Sequence, residues 1–160
     1  MKHFLIITLS ILAFSLFAGK VYIGKVVWLY DGDSFVLKSK GKRLEVRMWG
    51  VDAPEKKQKG GYEALKFMIK LLKNKTVKVK EVAQDSYGRI VGKVYLGNIF
   101  VNLKLLENGH AWWYRHYAPK QKDFAKAEAD ARKAKKGLWA NPNPINPRDF
   151  RRAAKGKYKR

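Results

Sequence analysis

Apolar and polar residues alternate with a period of two along much of the first half of the chain, from Val21 onward. Because the side chains of a strand point alternately to its two faces, this pattern predicts short strands with one buried face. The predicted strands span about 21–30, 33–39, 43–51, 76–82 and 89–96. Tight turns are predicted at 40–41 and 97–98, where glycine follows or precedes a polar residue. The pattern indicates a small, barrel-like β domain.

Three segments show the three- and four-residue spacing of apolar positions that is typical of amphipathic helices. They span about 61–73, 101–108 and 120–136. The second segment stops at Gly109, and Gly137 is suited to cap the C-terminus of the third. Strands and helices together predict one α+β domain over residues 19–140.

The composition changes after this domain. Residues 141–147 alternate Asn and Pro around Ile145, which excludes a continuing helix or a central strand. From residue 148 the chain is basic and has few apolar groups, so ordered structure is not expected there. We interpret residues 141–160 as an extended strap followed by a basic C-terminal tail.

The N-terminal segment, residues 1–18, has the composition of a secretory signal peptide. A short basic head precedes an almost unbroken apolar run from Phe4 to Phe17. This run is short for a membrane-spanning helix, which needs about 20 apolar residues, although an uncleaved N-terminal anchor is the alternative. The chain has no cysteine, which excludes disulfides and thiolate metal sites. We expect a secreted, periplasmic or cell-envelope location after cleavage.

The charge of the chain is strongly unbalanced. It has 35 Lys and Arg residues against 13 acidic residues, a formal net charge of +22. Such an excess indicates a polyanionic partner. Nucleic acid, an anionic membrane surface and an acidic polysaccharide all meet this condition, because charge attracts an anion without reading its other features.

Three acidic residues are expected to meet at one end of a β-hairpin. Pairing outward from the turn between the second and third strands places Asp33 opposite residue 48 or 49, and therefore near Asp52. Two adjacent carboxylates beside loop carbonyls form an all-oxygen site, which suits calcium or magnesium. Glu55 follows after the stiffening Pro54 and could take a proton from water. The pattern predicts a site for metal-assisted hydrolysis.

Two arginines complete this candidate site. Arg47 lies on the strand that leads to Asp52, and Arg89 begins the fifth strand. Their planar guanidinium groups match pairs of phosphate oxygens and can stabilise the extra negative charge of a five-coordinate transition state. This is the chemistry of phosphodiester hydrolysis. Each motif also has a simpler interpretation, since Asp31-Gly32-Asp33 is typical of any tight turn and Arg47 of a solvated strand face.

Three motifs, with Arg47 between the first two, resemble those of the thermonuclease (staphylococcal nuclease-like) family in order and spacing. They are Asp31-Gly32-Asp33-Ser34, Val51-Asp52-Ala53-Pro54-Glu55 and Asp85-Ser86-Tyr87-Gly88-Arg89. The resemblance covers about residues 21–140. It implies a five-stranded OB-fold barrel capped by three helices. It also implies a calcium-dependent endonuclease that acts on DNA and RNA and leaves 3′-phosphate ends.

The resemblance also implies a role for each residue of the site. Asp33 and Asp52 resemble the calcium carboxylates, and Ala53 resembles the residue whose backbone carbonyl completes the protein ligands. Glu55 resembles the proposed general base. The two arginines described above resemble the pair that binds the phosphate.

The substrate-binding positions depart from the family's pattern. Tyr87 is retained, whereas Ser86 stands where a lysine precedes the Tyr-Gly-Arg motif. Of two tyrosines expected beside the nucleotide, one position holds Arg115 and the other Tyr117, and Tyr114 could take the missing place. The loop after the proposed general base is also short. Substrate positioning is therefore expected to differ from the family's pattern.

A non-catalytic OB-fold protein that binds nucleic acid is the alternative function. Such barrels bind single strands through charged, aromatic grooves, and residues 111–117 have that composition. Within this run, Trp112 and Trp113 are expected to pack against the barrel, and Trp139 is expected in the core. The chain is expected to be a monomer without a stable protein partner.

Overall fold

The structure is a computed structural model that describes residues 19–157. The predicted signal peptide, residues 1–18, lies outside the described residues, as does the alternative of an uncleaved anchor. Within residues 19–157, no helix has both the length and the apolar character needed to cross a membrane.

Five long strands form a closed barrel. In chain order, the strands of the described residues are β1 (Val21–Leu29), β2 (Ser34–Ser39), β3 (Lys42–Met48), β4 (Val51–Asp52), β5 (Thr76–Gln84), β6 (Ile90–Leu96), β7 (Ile99–Phe100) and β8 (Trp112–Trp113). The sheet order is β3-β2-β1-β5-β6, and a parallel pairing of β3 with β6 closes it. The predicted five-stranded OB-fold barrel is confirmed.

Bends in two strands allow this small sheet to close. The pairing register shifts within residues 26–28 of β1 and within residues 81–83 of β5. Such bulges add twist and curvature to a strand. Phe35 and Val46 point into the barrel and are fully buried, whereas Glu45 is exposed on the outer face. The alternation that predicted the strands is therefore the alternation that builds the core.

Four helices accompany the barrel in the described residues. They are α1 (Gly61–Leu72), α2 (Val101–Glu107), α3 (Lys122–Lys133) and α4 (Pro147–Lys157), and a 3₁₀ turn spans Gly137–Ala140. The first three match the predicted helices and cover the barrel. Helix α1 buries Met68 and Leu72, and α3 inserts Phe124 into the same core.

The predicted cap of α3 at Gly137 is wrong. The helix is terminated by Lys135, which has a left-handed φ of 49°. Its N–H donates to the carbonyl of Arg132, and the N–H of Lys136 donates to that of Ala131. This pair of bonds is the Schellman arrangement. Gly137 instead begins the following 3₁₀ turn.

The basic tail, which was expected to lack ordered structure, is helical over Pro147–Lys157. The side chain of Asn146 accepts a hydrogen bond from the N–H of Arg148 at 2.9 Å and so caps the helix. Pro147 occupies the first helical position, where no N–H is required. The pair Asn146-Pro147 therefore cannot continue a helix from the preceding residues, but it favours the start of a new helix.

A buried polar side chain anchors α2 to the barrel and to the turn after β3. Asn102 is fully buried and accepts a hydrogen bond from the N–H of Val94 at 2.9 Å. Its Nδ2 donates to the carbonyl of Trp49 at 2.8 Å. These bonds satisfy backbone groups that would otherwise lie unpaired in the core. They hold the turn that leads from β3 to β4.

Candidate active site

The β2–β3 hairpin places Asp33 at the position predicted by pairing the strands outward from their turn, opposite residue 48. Ser34 pairs with Arg47 across the hairpin. One residue further out, the N–H of Met48 donates to the carbonyl of Asp33 at 2.8 Å. The predicted register is confirmed, and Asp33 lies at the open end of the hairpin.

A tight turn returns the chain to this end. Gly50 has a φ of 73°, a left-handed backbone conformation that residues with a Cβ atom rarely adopt. A Cβ at Gly50 would also lie 2.8 Å from the Cβ of Ala118. Strand β4, Val51–Asp52, begins directly after this glycine and carries Asp52 back towards Asp33.

One guanidinium bridges the two carboxylates. Arg47 donates through Nη1 to Oδ1 of Asp33 at 3.1 Å and through Nη2 to Oδ1 of Asp52 at 2.8 Å. The other oxygen of Asp33 accepts the N–H of Ala53 at 2.7 Å. Asp33 is 2% exposed and Asp52 is 3% exposed, and these donors supply the hydrogen bonds that buried carboxylate oxygens require. The structure thus joins four of the predicted site residues directly.

Asp31 adds a third acidic side chain to this cluster. Its Oδ1 accepts a hydrogen bond from the N–H of Asp33 at 2.9 Å. Burial and the charge of Asp33 raise the pKa of Asp31 to about 7. Gly32 lies between the two, and a Cβ there would stand 2.7 Å from the Cβ of Ala53. The Asp-Gly-Asp motif therefore brings negative charge close to the barrel end at a point where only glycine fits.

The donor set of Asp33 and Asp52 fits a hard cation. In the part of the chain that the structure describes, no group of three or more His, Cys, Asp or Glu side chains forms a ready-made metal site. Calcium takes roughly six to eight oxygen ligands, many of them backbone carbonyls and water, so two carboxylates are a sufficient protein contribution. Ala53 is buried, follows Asp52 directly in the sequence, and donates its N–H to Asp33.

Glu55 joins the cluster through a residue that the sequence patterns did not indicate. Arg151 of α4 donates to Oε1 of Glu55 at 2.8 Å and to Oδ2 of Asp52 at 2.9 Å. The basic composition of the tail was the available signal, but it does not distinguish one arginine from its neighbours. Contacts that span 96 to 99 residues leave no local pattern.

Arg89 lies at the same edge of the barrel, and its side chain is held by Asp85 of the turn that precedes it. Its Nε donates to Oδ2 of Asp85 at 2.7 Å, and Oδ1 of Asp85 accepts the N–H groups of Tyr87 and Arg89, each at 3.0 Å. Burial opposes ionisation of Asp85, but these hydrogen bonds outweigh it and lower its pKa. Since Val91 pairs with Arg47 in parallel strands, Arg89, which directly precedes β6, lies beside the β3 edge.

The aromatic segment is attached to the strand that carries Asp52. Strand β8 pairs with β4, with Trp112 opposite Asp52. Trp112 packs edge-on against Trp139 with ring centroids 4.6 Å apart, and Trp113 donates from its indole to the carbonyl of Ala118 at 3.0 Å. The predicted packing against the barrel is confirmed for Trp113, whereas Trp112 packs in a separate small cluster that contains Trp139. The burial of Trp139 is confirmed.

A cleft of about 310 Å³ lies between Asp52 and the aromatic segment. Two predicted substrate contacts, Tyr114 and Arg115, line this cleft. Tyr117 packs edge-on against Tyr114 with ring centroids 4.8 Å apart. Tyr87 lies elsewhere, on the turn before β6, and is 85% exposed. The four predicted contacts therefore form two groups, one at the cleft beside Asp52 and one on the turn that bears Arg89.

The sequence is similar to those of known proteins. Residues 45–141 match the family described as staphylococcal nuclease homologue. The chain is 42% identical over 111 residues to the probable staphylococcal-like nuclease CAN2 of Oryza sativa subsp. japonica, covering 69% of this chain and 30% of that protein. An uncharacterized endonuclease of Haemophilus influenzae is 35% identical over 132 residues, covering 82% and 74% respectively. An uncharacterized endonuclease of Escherichia coli is 32% identical over 148 residues, covering 92% and 95%.

The fold and the site define an OB-fold barrel domain that bears a cluster of acids and arginines at one end. The chain belongs to the family of staphylococcal nuclease homologues, which confirms the resemblance carried by its three motifs. It spans about 30% of the length of the rice relatives, and most of the length of the two bacterial relatives.

Proposed function

We propose that this protein is a calcium-dependent endonuclease that hydrolyses phosphodiester bonds of DNA and RNA and leaves 3′-phosphate ends. The observation that carries this proposal is the junction of Asp33, Arg47 and Asp52 at one barrel end, with Glu55 beside it. The bacterial relatives named endonuclease support it. A binding module has no need of buried carboxylates at this point.

Asp33, Asp52 and the carbonyl of Ala53 would hold the calcium ion. When bound, the ion supplies positive charge that polarises a phosphate oxygen and draws water to the site. Burial of Asp33 and Asp52 keeps competing water away from their oxygens and fixes their direction. The hydrogen bond from Ala53 to Asp33 orients one carboxylate before the ion arrives.

Glu55 is assigned the role of general base. Its side chain is 39% exposed, so water reaches it, and it lies close enough to Asp52 for Arg151 to contact both. A carboxylate at this place can take a proton from the attacking water as the water approaches phosphorus. Pro54 restricts the chain between Asp52 and Glu55 and limits how far the base can move.

Arg47 and Arg89 are assigned to the phosphate. Their side chains are 20% and 25% exposed, and carboxylates orient both guanidinium groups. An incoming phosphate can compete with Asp85 for Arg89 at the edge next to Arg47. Fixed positive charge there stabilises the negative charge that develops in the transition state.

The substrate is proposed to contact both aromatic groups beside the site. Tyr114, Arg115 and Tyr117 lie along one side, where a base can stack and a guanidinium can meet a phosphate. Tyr87 lies on the turn that bears Arg89 and is open to solvent. The net charge of +22 attracts any nucleic acid without reading its sequence.

Digestion of plasmid DNA tests the proposed function. The purified protein should cut supercoiled plasmid when calcium is present and stop when the ion is chelated. The products should accept label at their 5′ ends from a polynucleotide kinase without prior phosphatase treatment. Their 3′ ends should support polymerase extension only after phosphatase treatment, because the proposed cleavage leaves phosphate on the 3′ oxygen.

The opposite result would favour the binding module. Tight, calcium-independent binding of DNA with no cleavage in calcium, magnesium or manganese would exclude the nuclease. Products with 3′-hydroxyl ends would exclude the proposed reaction geometry and indicate a contaminating enzyme.

We also propose that the protein acts outside the cytoplasm, in a secreted, periplasmic or cell-envelope location. The support is the composition of residues 1–18. The N-terminal residue of the exported protein tests this proposal, because cleavage near Ala18 removes the basic head and the apolar run. An intact Met1 in the membrane fraction would favour the anchor instead.

A further inference from the structure

Helix α4 brings a guanidinium to the candidate active site. Arg151 donates through Nη2 to Oδ2 of Asp52 at 2.9 Å and through Nη1 to Oδ1 at 3.2 Å. The same Nη1 donates to Oε1 of Glu55 at 2.8 Å. One side chain of the C-terminal helix therefore contacts both a proposed metal ligand and the proposed general base.

These contacts use the oxygen atoms that a cation requires. Arg151 engages both oxygens of Asp52, and Arg47 donates to one of them as well, at 2.8 Å. Calcium binds a carboxylate oxygen at roughly 2.3–2.6 Å, so it would stand directly beside the Arg151 guanidinium. Arg47 leaves Oδ2 of Asp52 open to an ion, whereas Arg151 covers both oxygens of Asp52. Arg151 and a divalent cation are therefore alternatives at Asp52.

The cluster does not depend on Arg151 for its structural neutralisation. Arg47 already bridges Asp33 and Asp52. The side chains of Arg151 and Glu55 are 35% and 39% exposed, so their ion pair faces water. Exposed pairs of this kind contribute little to folding. The barrel should therefore keep its structure when Arg151 leaves.

The rest of α4 is loosely held, whereas the strap before it is anchored. Residues 152–156 are all exposed. In the strap, Gln58 donates from Nε2 to the carbonyl of Ile145 at 2.6 Å, and Pro147 is buried. The helix can leave the site while this tether keeps Arg151 nearby, at an effective concentration on the order of millimolar.

We propose that Arg151 is an internal competitor of the divalent cation, and that α4 must leave Asp52 and Glu55 before the ion binds and water is activated. This inference rests on the proposed function, which assigns the roles of these two carboxylates. Substrate favours the same release, because three further basic residues of the helix are exposed and available to nucleic-acid phosphates. They are Arg148, Arg152 and Lys155.

Titration calorimetry with calcium tests the competition. The Arg151→Gln variant should bind calcium more tightly than the wild type. A gain of about tenfold would correspond to a wild-type helix that is docked for about nine-tenths of the time. Arg152→Gln is the matched control, since Arg152 is exposed and meets only Asp149, at 4.0 Å. It removes the same charge from the same helix and should leave the affinity unchanged. Circular dichroism verifies that both variants are folded.

Hydrogen exchange supplies a second readout that does not depend on cleavage. Calcium added to the wild type should speed amide exchange in residues 147–157 while exchange in the barrel strands stays unchanged. In Arg151→Gln, these amides should exchange rapidly before calcium is added, and calcium should change them little.

Equal or weaker calcium binding by Arg151→Gln would overturn the inference, as would unchanged exchange in α4. Plasmid cleavage by the wild type separates this failure from failure of the proposed function. A protein that cleaves with calcium but shows no difference between the variants loses only the role of Arg151. A protein that neither binds calcium nor cleaves loses both.

Discussion

Glu55→Gln is expected to lower kcat for cleavage of a short DNA substrate by about a hundredfold to ten-thousandfold, the contribution typical of a positioned general base. Glutamine keeps the shape of the side chain, but its amide does not take a proton from water. Because Glu55 is 39% exposed, the fold should be unaffected. Saturating kinetics in calcium give kcat, and the far-ultraviolet spectrum reports the fold.

Glu63→Gln is the control for this change. Glu63 lies in the first turn of α1, is exposed, and loses the same charge on substitution. Its kcat should match that of the wild type. If Glu55→Gln kept kcat within about threefold of the wild type, the base would have to be another group, and the role assigned to Glu55 would be wrong.

Arg47→Gln is expected to affect both stability and turnover. Without its guanidinium, two buried carboxylates face each other with only Arg151 as a remaining counter-ion to Asp52. Removing one partner of such a cluster lowers the free energy of unfolding by roughly 3 kcal/mol. Loss of transition-state stabilisation should also lower kcat by about a hundredfold or more. Urea unfolding without calcium measures the first effect.

The matched control lies on the same strand. Arg43 is an exposed arginine of β3, and Arg43→Gln removes the same charge without disturbing a buried carboxylate. Its free energy of unfolding should stay within about 0.5 kcal/mol of the wild type. Equal urea midpoints for the two variants would contradict the bridging role of Arg47, because charge loss alone would then account for the result.

Local pattern was sufficient to predict the strands of the barrel and the helices that cover it. In β2 and β3, the face that a residue occupies follows from its neighbours two positions away, so alternation locates each strand within a few residues. The end of α3 was misplaced for a physical reason. Lys135 adopts a left-handed φ of 49°, which glycine adopts more readily, so the sequence pattern pointed to Gly137.

The contacts of the candidate site also differ in how well the sequence predicts them, according to how far apart the partners lie in the chain. Asp33 and Arg47 are brought together by one hairpin whose register follows from its short turn. Asp85 and Arg89 share a single turn, and their contact spans four residues. Such neighbours can be inferred from spacing. The placement of Arg151 against Asp52 spans 99 residues and depends on the path of the whole strap.

The sequence by itself determined the strands of the barrel, the three motifs and the convergence of the first two at one hairpin end, because periodicity and turn geometry act over a few residues. Only the tertiary structure decided which charges the carboxylates meet. Arg47 bridges Asp33 and Asp52 from within the barrel edge, and Arg151 reaches Asp52 and Glu55 from a C-terminal helix. The chain has 35 Lys and Arg residues, and its composition does not distinguish among them. Only their positions in the folded chain identify Arg47 and Arg151 as the partners of these carboxylates.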